Sequence, residues 1–92
     1  MERRILLMKA APSHAPEIGE QLARLPGVNH VFVADGQYQL VAMIAGKTED
    51  DLSALVDRHI ATLEGVEIGE RLTALRQYSH DEANDEMIGF GP

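Results

Sequence analysis

The sequence predicts an α+β sandwich in which two βαβ units build one antiparallel four-stranded sheet with both helices on one side. Three observations carry this. Short apolar runs alternate with amphipathic stretches in the order strand, helix, strand, strand, helix, strand. A faint repeat at an offset of 38 residues sets Leu25-Pro26-Gly27-Val28 against Leu63-Glu64-Gly65-Val66. Counting back, Ala23 falls on Ala61, Leu22 on Ile60, Ile18 on Val56, Lys9 on Lys47 and Ile5-Leu6 on Met43-Ile44. The third observation is where the most apolar strands fall. Two βαβ halves joined by a hairpin give the sheet order 4-1-3-2, which centres the first and third strands. Those carry Ile5-Leu6-Leu7-Met8 and Leu40-Val41-Ala42-Met43-Ile44-Ala45, whereas the flanking strands carry Asn29, His30, Glu67, Glu70 and Arg71. This is the ferredoxin-like arrangement.

Each element has a local reason. Arg3 to Ala10 is short and apolar, as a buried strand is, and Ala11-Pro12-Ser13 breaks it. Ser13 is the expected N-cap, with Pro16 in the first helical turn. Ala15, Ile18, Leu22 and Leu25 recur at helical spacing until Pro26-Gly27 stops the helix. Val28 to Ala34 is β-branched and aromatic, and Asp35-Gly36 suggests a tight hairpin turn into a strand from Tyr38 to Ala45. Thr48, with Asp51 three residues on, has capping-box spacing, and Glu49, Asp50 and Asp51 suit the positive end of the helix dipole. Leu52, Leu55, Val56, His59, Ile60 and Leu63 form the expected buried stripe. Gly65 stops the helix, and Val66 to Gln77 reads as the last strand, with Ile68, Leu72 and Ala74 alternating against polar neighbours.

Composition narrows the function. Ninety-two residues with 45% hydrophobic content make one small domain, expected over 1–78, followed by an acidic tail over 79–92. A core this small leaves the monomer marginal, which favours self-association. Without cysteine, disulfides, thiolate catalysis and cysteine-held metals are excluded. The apolar runs, Ile5 to Met8 and Leu40 to Ala45, are too short to span a membrane, and the start, Met-Glu-Arg-Arg, lacks the apolar stretch of a signal peptide, so a cytoplasmic location is expected. The net charge is −7, of which −4 falls on Asp81, Glu82, Asp85 and Glu86. The eight basic side chains are scattered along the chain, so direct nucleic-acid binding is not expected. The tail ends in Met87-Ile88-Gly89-Phe90-Gly91-Pro92, which reads either as disordered or as a hook onto a neighbouring subunit. Because the central strands are apolar on both sides while two helices cover one face, the other face is expected to meet a second copy.

Nothing points to catalysis. His14 and His80 read as solvated, His59 as a partly buried core residue, and His30 has no carboxylate at a telling spacing. No phosphate loop, zinc-protease motif or serine nucleophile motif is present, and no cofactor or metal is expected. The more informative spot is Asp35-Gly36-Gln37-Tyr38-Gln39, where backbone and amide groups beside an aromatic can hold a small polar ligand. Arg71 could clamp a carboxylate bidentately.

Leu25-Pro26-Gly27-Val28, Val33-Ala34-Asp35-Gly36-Gln37-Tyr38-Gln39-Leu40-Val41 and Ile60 to Val66 resemble the effector-binding domain of the leucine-responsive/asparagine-C (Lrp/AsnC) regulators, also called RAM. The resemblance covers residues 3 to 76. It implies effector sensing and assembly, here without the helix-turn-helix that precedes this domain in full-length relatives, which are themselves implied partners. It also implies dimers paired through the open sheet faces, rings of dimers, and amino acids bound between dimers. Carried over residue by residue, the ligand contacts are Asp35, Gly36, Gln37, Tyr38 and Gln39 of the hairpin with Gly69, Arg71 and Thr73 of the last strand. Two positions depart from the family pattern. Gln39 stands where an Asp is common, and Gly69-Glu70-Arg71 where Thr-x-Thr is common. Losing an anion and gaining a guanidinium suggest an acidic effector. Competing readings are a peptide-binding chaperone resembling the small maturation factor of periplasmic nitrate reductase, a small enzyme of the dimeric α/β-barrel type, and an amino-acid-binding ACT domain.

Overall fold

In the computed structural model, which describes residues 1–78 and residue 80, the chain runs β1 (Glu2–Lys9), α1 (Ala15–Ala23), β2 (Val28–Val33), β3 (Leu40–Gly46), α2 (Glu49–Leu55) continued by a π-helical turn (Val56–Ile60), and β4 (Glu67–Thr73). The sheet is antiparallel with order β2-β3-β1-β4, which is the predicted 4-1-3-2. The expected acidic and apolar character of residues 81–92 concerns a segment outside the described residues. Among the described residues no helix is long and apolar enough to cross a membrane.

The core forms where the helices cover the sheet. Leu6 and Met8 of β1 and Leu40, Ala42 and Ile44 of β3 are buried against Ile18 and Leu22 of α1 and Leu52, Val56 and Ile60 of the second helical segment. Both central strands therefore supply the core, as their apolar runs predicted. Gly27 and Gly65 occupy equivalent places in the two halves, 38 residues apart, and both have positive φ (96° and 87°) just past a helix. A side chain there would be strained, so the repeat is legible even in its punctuation.

Three local expectations are corrected. Ser13 does not cap α1: the N-cap is His14, with no side-chain hydrogen bond, and the Ala15 N–H donates to the Ala11 carbonyl at 3.0 Å. A Ser13 cap would accept from the N–H two or three residues on; the Ala15 N–H is already given to Ala11, and Pro16 has none. Thr48 does cap α2, accepting from the Asp51 N–H at 3.1 Å. His59 is exposed rather than part of the buried stripe, while Ile60 is fully buried. The Ala61 N–H donates to the Val56 carbonyl at 2.7 Å, five residues back, a wider turn that changes the phase of the stripe at His59 while Ile60 stays in the core. Finally, β4 ends at Thr73 instead of Gln77, and it carries a bulge.

That bulge decides which side chains face which way. Leu7 pairs with Glu70 but Met8 pairs with Ile68, so Gly69 is the extra residue. Before the bulge Ile68 packs on the core; after it Glu70 and Leu72 lie opposite Leu7 and Ile5 on the open face, and Arg71 and Thr73 lie opposite Leu6 and Arg4 on the helix side. The expected common face of Ile68 and Leu72 is thus divided. The open face carries Ile5 and Leu7 of β1, Val41 and Met43 of β3, Phe32 of β2 and Leu72 of β4. Phe32 and Leu72 are 54% and 43% exposed, so this apolar surface spans the sheet uncovered.

Candidate functional site

The β2–β3 connection is a four-residue loop, not a two-residue Asp-Gly turn. The Ala34 N–H donates to the Gln39 carbonyl at 2.9 Å, enclosing Asp35, Gly36, Gln37 and Tyr38. Strand β3 accordingly starts at Leu40, two residues later than expected. Asp35, Gly36 and Gln37 are exposed at the tip. Gln39 is fully engaged: its Nε2 donates to the Gly36 carbonyl at 3.0 Å and its Oε1 accepts from the Ala10 N–H at 3.0 Å. Its own N–H donates to the Met8 carbonyl at 3.0 Å. The neutral amide at this position has a mechanical reason, because an Asp in its place would have no N–H to give Gly36. Gln39 ties the loop to the end of β1.

Tyr38 is the centre of the site. Its ring lies against Gly69, where even a methyl group would fall well inside van der Waals contact. The bulge glycine therefore makes the space the ring uses. The Tyr38 hydroxyl donates to Glu70 Oε2 at 2.9 Å, and this hydrogen bond, with some desolvation and the nearby carboxylate charge, raises the phenol above the usual tyrosine range. Over the ring, Lys9 Nζ stands 6.0 Å from the centroid, a cation–π distance. Among the described residues the one ion pair is between Arg4 and Glu49, so Lys9 and Glu70 do not neutralise each other across the ring. Beside them opens a hollow of about 420 Å³ lined by Lys9, Ala10, Gln39, Gly65, Val66 and Glu67.

Of the eight residues expected in a ligand site, the structure groups six: the hairpin residues 35–39 and Gly69. Arg71 and Thr73 do not join them, because the bulge turns both to the helix side of the sheet. The guanidinium of Arg71 therefore does not stand beside Tyr38. Sequence reasoning missed Lys9 and Glu70. The available signal was a glycine inside an edge strand, which marks a bulge and reverses the facing of every residue after it. Among the described residues no group of three or more His, Asp or Glu side chains could hold a metal ion. A carboxylate at the hydroxyl of an aromatic and an ammonium over its ring, next to backbone carbonyls at a loop, suit a small zwitterion.

The fold defines a small α+β sandwich module. The family model for the Lrp/AsnC ligand binding domain matches residues 4–83. The chain belongs to that family. A protein of Thermus thermophilus, TTHA0845, is 35% identical, with 87% of this chain and all of that one aligned at a TM-score of 0.75. The hypothetical protein PHS023 from Pyrococcus horikoshii is 24% identical over 87% of this chain and 96% of its own, with a TM-score of 0.76. AsnC of E. coli shares the fold at 17% identity and a TM-score of 0.74; 83% of this chain aligns with 52% of AsnC. The Neisseria meningitidis transcriptional regulator NMB0573, solved as a complex with L-Met, shares it at 14% identity and a TM-score of 0.72, over 86% of this chain and 53% of that regulator. No curated protein matches by sequence.

Proposed function

We propose that this chain is an effector-sensing and assembly module: it binds a small zwitterionic effector of the amino-acid type beside Tyr38 and pairs copies of itself through the open sheet face. Its influence on transcription or metabolism then runs through relatives that carry a helix-turn-helix. The observation that carries this reading is the meeting of two opposite charges at Tyr38, Lys9 over its ring and Glu70 at its hydroxyl. Glu70 can take an α-ammonium and Lys9 a carboxylate, with Asp35, Gly36, Gln37 and Gln39 closing the loop side. The complex of the meningococcal relative with L-Met supports an amino acid as the class of ligand. A zwitterion replaces the acidic effector that Arg71 suggested, since that guanidinium lies across the sheet.

The pairing half rests on the uncovered apolar face. A surface that runs from Phe32 through Val41 and Leu7 and from Met43 through Ile5 to Leu72 exceeds what single exposed side chains account for. Light scattering after size-exclusion chromatography, alone and with a panel of amino acids that includes Met, Asp and Glu, tests both halves. The expected result is a dimer or a multiple of dimers whose size or melting temperature shifts with one amino acid. Glu70→Gln should weaken that effect about tenfold, the loss of one charge-assisted hydrogen bond. A monomer indifferent to every amino acid would sink the reading.

A further inference from the structure

We propose that Met87-Ile88-Gly89-Phe90, which lies outside the described residues, docks on its own domain as an added strand at the free edge of β2, with Ile88 and Phe90 in the groove between β2 and α1. The inference is independent of the effector reading, and the groove lies on the helix side of the sheet, away from the open face. Strand β2 ends the sheet beyond β3, so its outer backbone has no strand partner among the described residues. Its sequence, Val-Asn-His-Val-Phe-Val, carries neither proline nor lysine to discourage pairing, and such an edge can accept a further strand. On the helix side Val31 and Val33 face α1 across a shallow groove of about 300 Å³, whose other wall is Pro16, Gly19, Glu20 and Ala23. Gly19 lets the helix approach: a methyl group there would stand in contact with Val31 and Val33. Even so, Val33 remains 52% exposed. Glu20, exposed at the rim, is the one charged residue in the lining.

The occupant is selected by where the chain goes after β4 and by what it carries. The Ala74 N–H donates to the Arg3 carbonyl at 3.2 Å, and Arg3 Nη1 donates to Gln77 Oε1 at 3.2 Å. Arg76 and Gln77 then share one hollow with Asn29 and His30, which brings the chain from the β4 edge to the start of β2. From Tyr78 to Met87 an extended chain reaches at most ~30 Å, well beyond the ~7 Å along β2 from Asn29 to Val31. Asp81, Glu82, Asp85 and Glu86 fall on that stretch, and Arg76 and Arg24 flank its path. Arg24 is the C-cap of α1, and the Val28 N–H donates to the Leu25 carbonyl at 3.1 Å, so the end of α1 stands beside the start of β2. Neither guanidinium has an ion pair among the described residues. Carboxylates passing these two groups direct the segment toward the groove, and the apolar residues follow. Ile88 and Phe90 are two apart, hence on one face of a strand, as are Val31 and Val33. Tethering to the same chain sets the effective concentration at about the millimolar range, so a modest apolar contact is enough.

The test is NMR of the full chain with labelled phenylalanine, since Phe32 and Phe90 are its two phenylalanines. The expected result is a nuclear Overhauser contact from the Phe90 ring to the Ala23 methyl group, with slow hydrogen exchange at the β2 amides that point away from β3. Phe90→Ser should remove the contact and speed that exchange about tenfold. Ala23→Glu, which fills the groove from an exposed helix position, should do the same with the spectrum still dispersed. Leu75→Ser, at an exposed position outside the groove, should change neither. A Phe90 ring without contact to α1, or exchange that Phe90→Ser leaves as it was, overturns the proposal. So do contacts that arise only between labelled and unlabelled chains in a mixed sample, since the segment would then belong to a neighbouring copy.

Discussion

Tyr38 and Glu70 act as one unit, and the pair can be read spectroscopically. Tyr38 is one of two tyrosines in the chain, and its phenol is raised by the hydrogen bond to Glu70. An ultraviolet titration should therefore contain a late step, and Glu70→Gln should draw that step down toward the ordinary tyrosine range. A wild-type curve that Glu70→Gln leaves unaltered would mean that the hydroxyl does not hold Glu70 in solution. The sign for stability follows from linkage. With the folded value raised, the contribution of this bond is complete below the unfolded tyrosine's range and disappears as pH rises through the folded value. Gly69 is the other half of the arrangement. Gly69→Ala should displace the ring and cost about 1–3 kcal/mol by overpacking, measured by urea unfolding, and it should also bring the Tyr38 titration back toward normal. These residues were half legible in the sequence. The loop from Asp35 to Gln39 stood out as a turn beside an aromatic, but the role of Gln39 as a latch depends on the Met8 and Ala10 backbone, which no local pattern announces.

Elements show where periodicity succeeds and where one residue defeats it. The apolar runs located all four strands and the helical spacing both helices, because burial of one face imposes those periods directly. The phase within an element was less secure. A helical stripe continued at 3.6 residues per turn takes in both His59 and Ile60, whereas the π-helical turn keeps Ile60 buried and leaves His59 exposed. Two substitutions separate these outcomes. Ile60→Ala should cost about 2–5 kcal/mol as a cavity in a sealed core, whereas His59→Ala should stay within about 0.5 kcal/mol. Comparable losses at both would restore the unbroken α-helix. At the start of α2 the sequence reading holds, and Thr48→Ala should cost about 1 kcal/mol through loss of the cap to Asp51. The missing cap at Ser13 has a reason that is itself partly in the sequence: Pro16 stands where a donating N–H would have to be, and the Ala15 N–H is given to the Ala11 carbonyl.

For the whole molecule, the unshielded side of the sheet matters most. The fold was legible from the repeat and from the central position of the two apolar strands, but the composition of this surface depends on register, which fixes pairs such as Ile5 with Met43 and with Leu72. Leu72→Glu places a charge at its β4 margin without touching the core. The expected outcome is a smaller species by light scattering with an unchanged circular dichroism spectrum. If the size stays as in the wild type, copies associate through some other surface.

The bulge at Gly69 also sets how this surface can change. In an unbroken strand residues four apart share a face, so Ile68 and Leu72 would serve the same side. The extra residue lets one short strand give Ile68 to the core and Leu72 to the open face. Were the strand to pair through Gly69 without the bulge, the rows beyond it would exchange, bringing Arg71 and Thr73 to the side that is now apolar. Loss of Gly69 itself would leave Glu70 opposite Leu7 and every later pair as it is, so the glycine acts as a phase shifter between two surfaces with different duties.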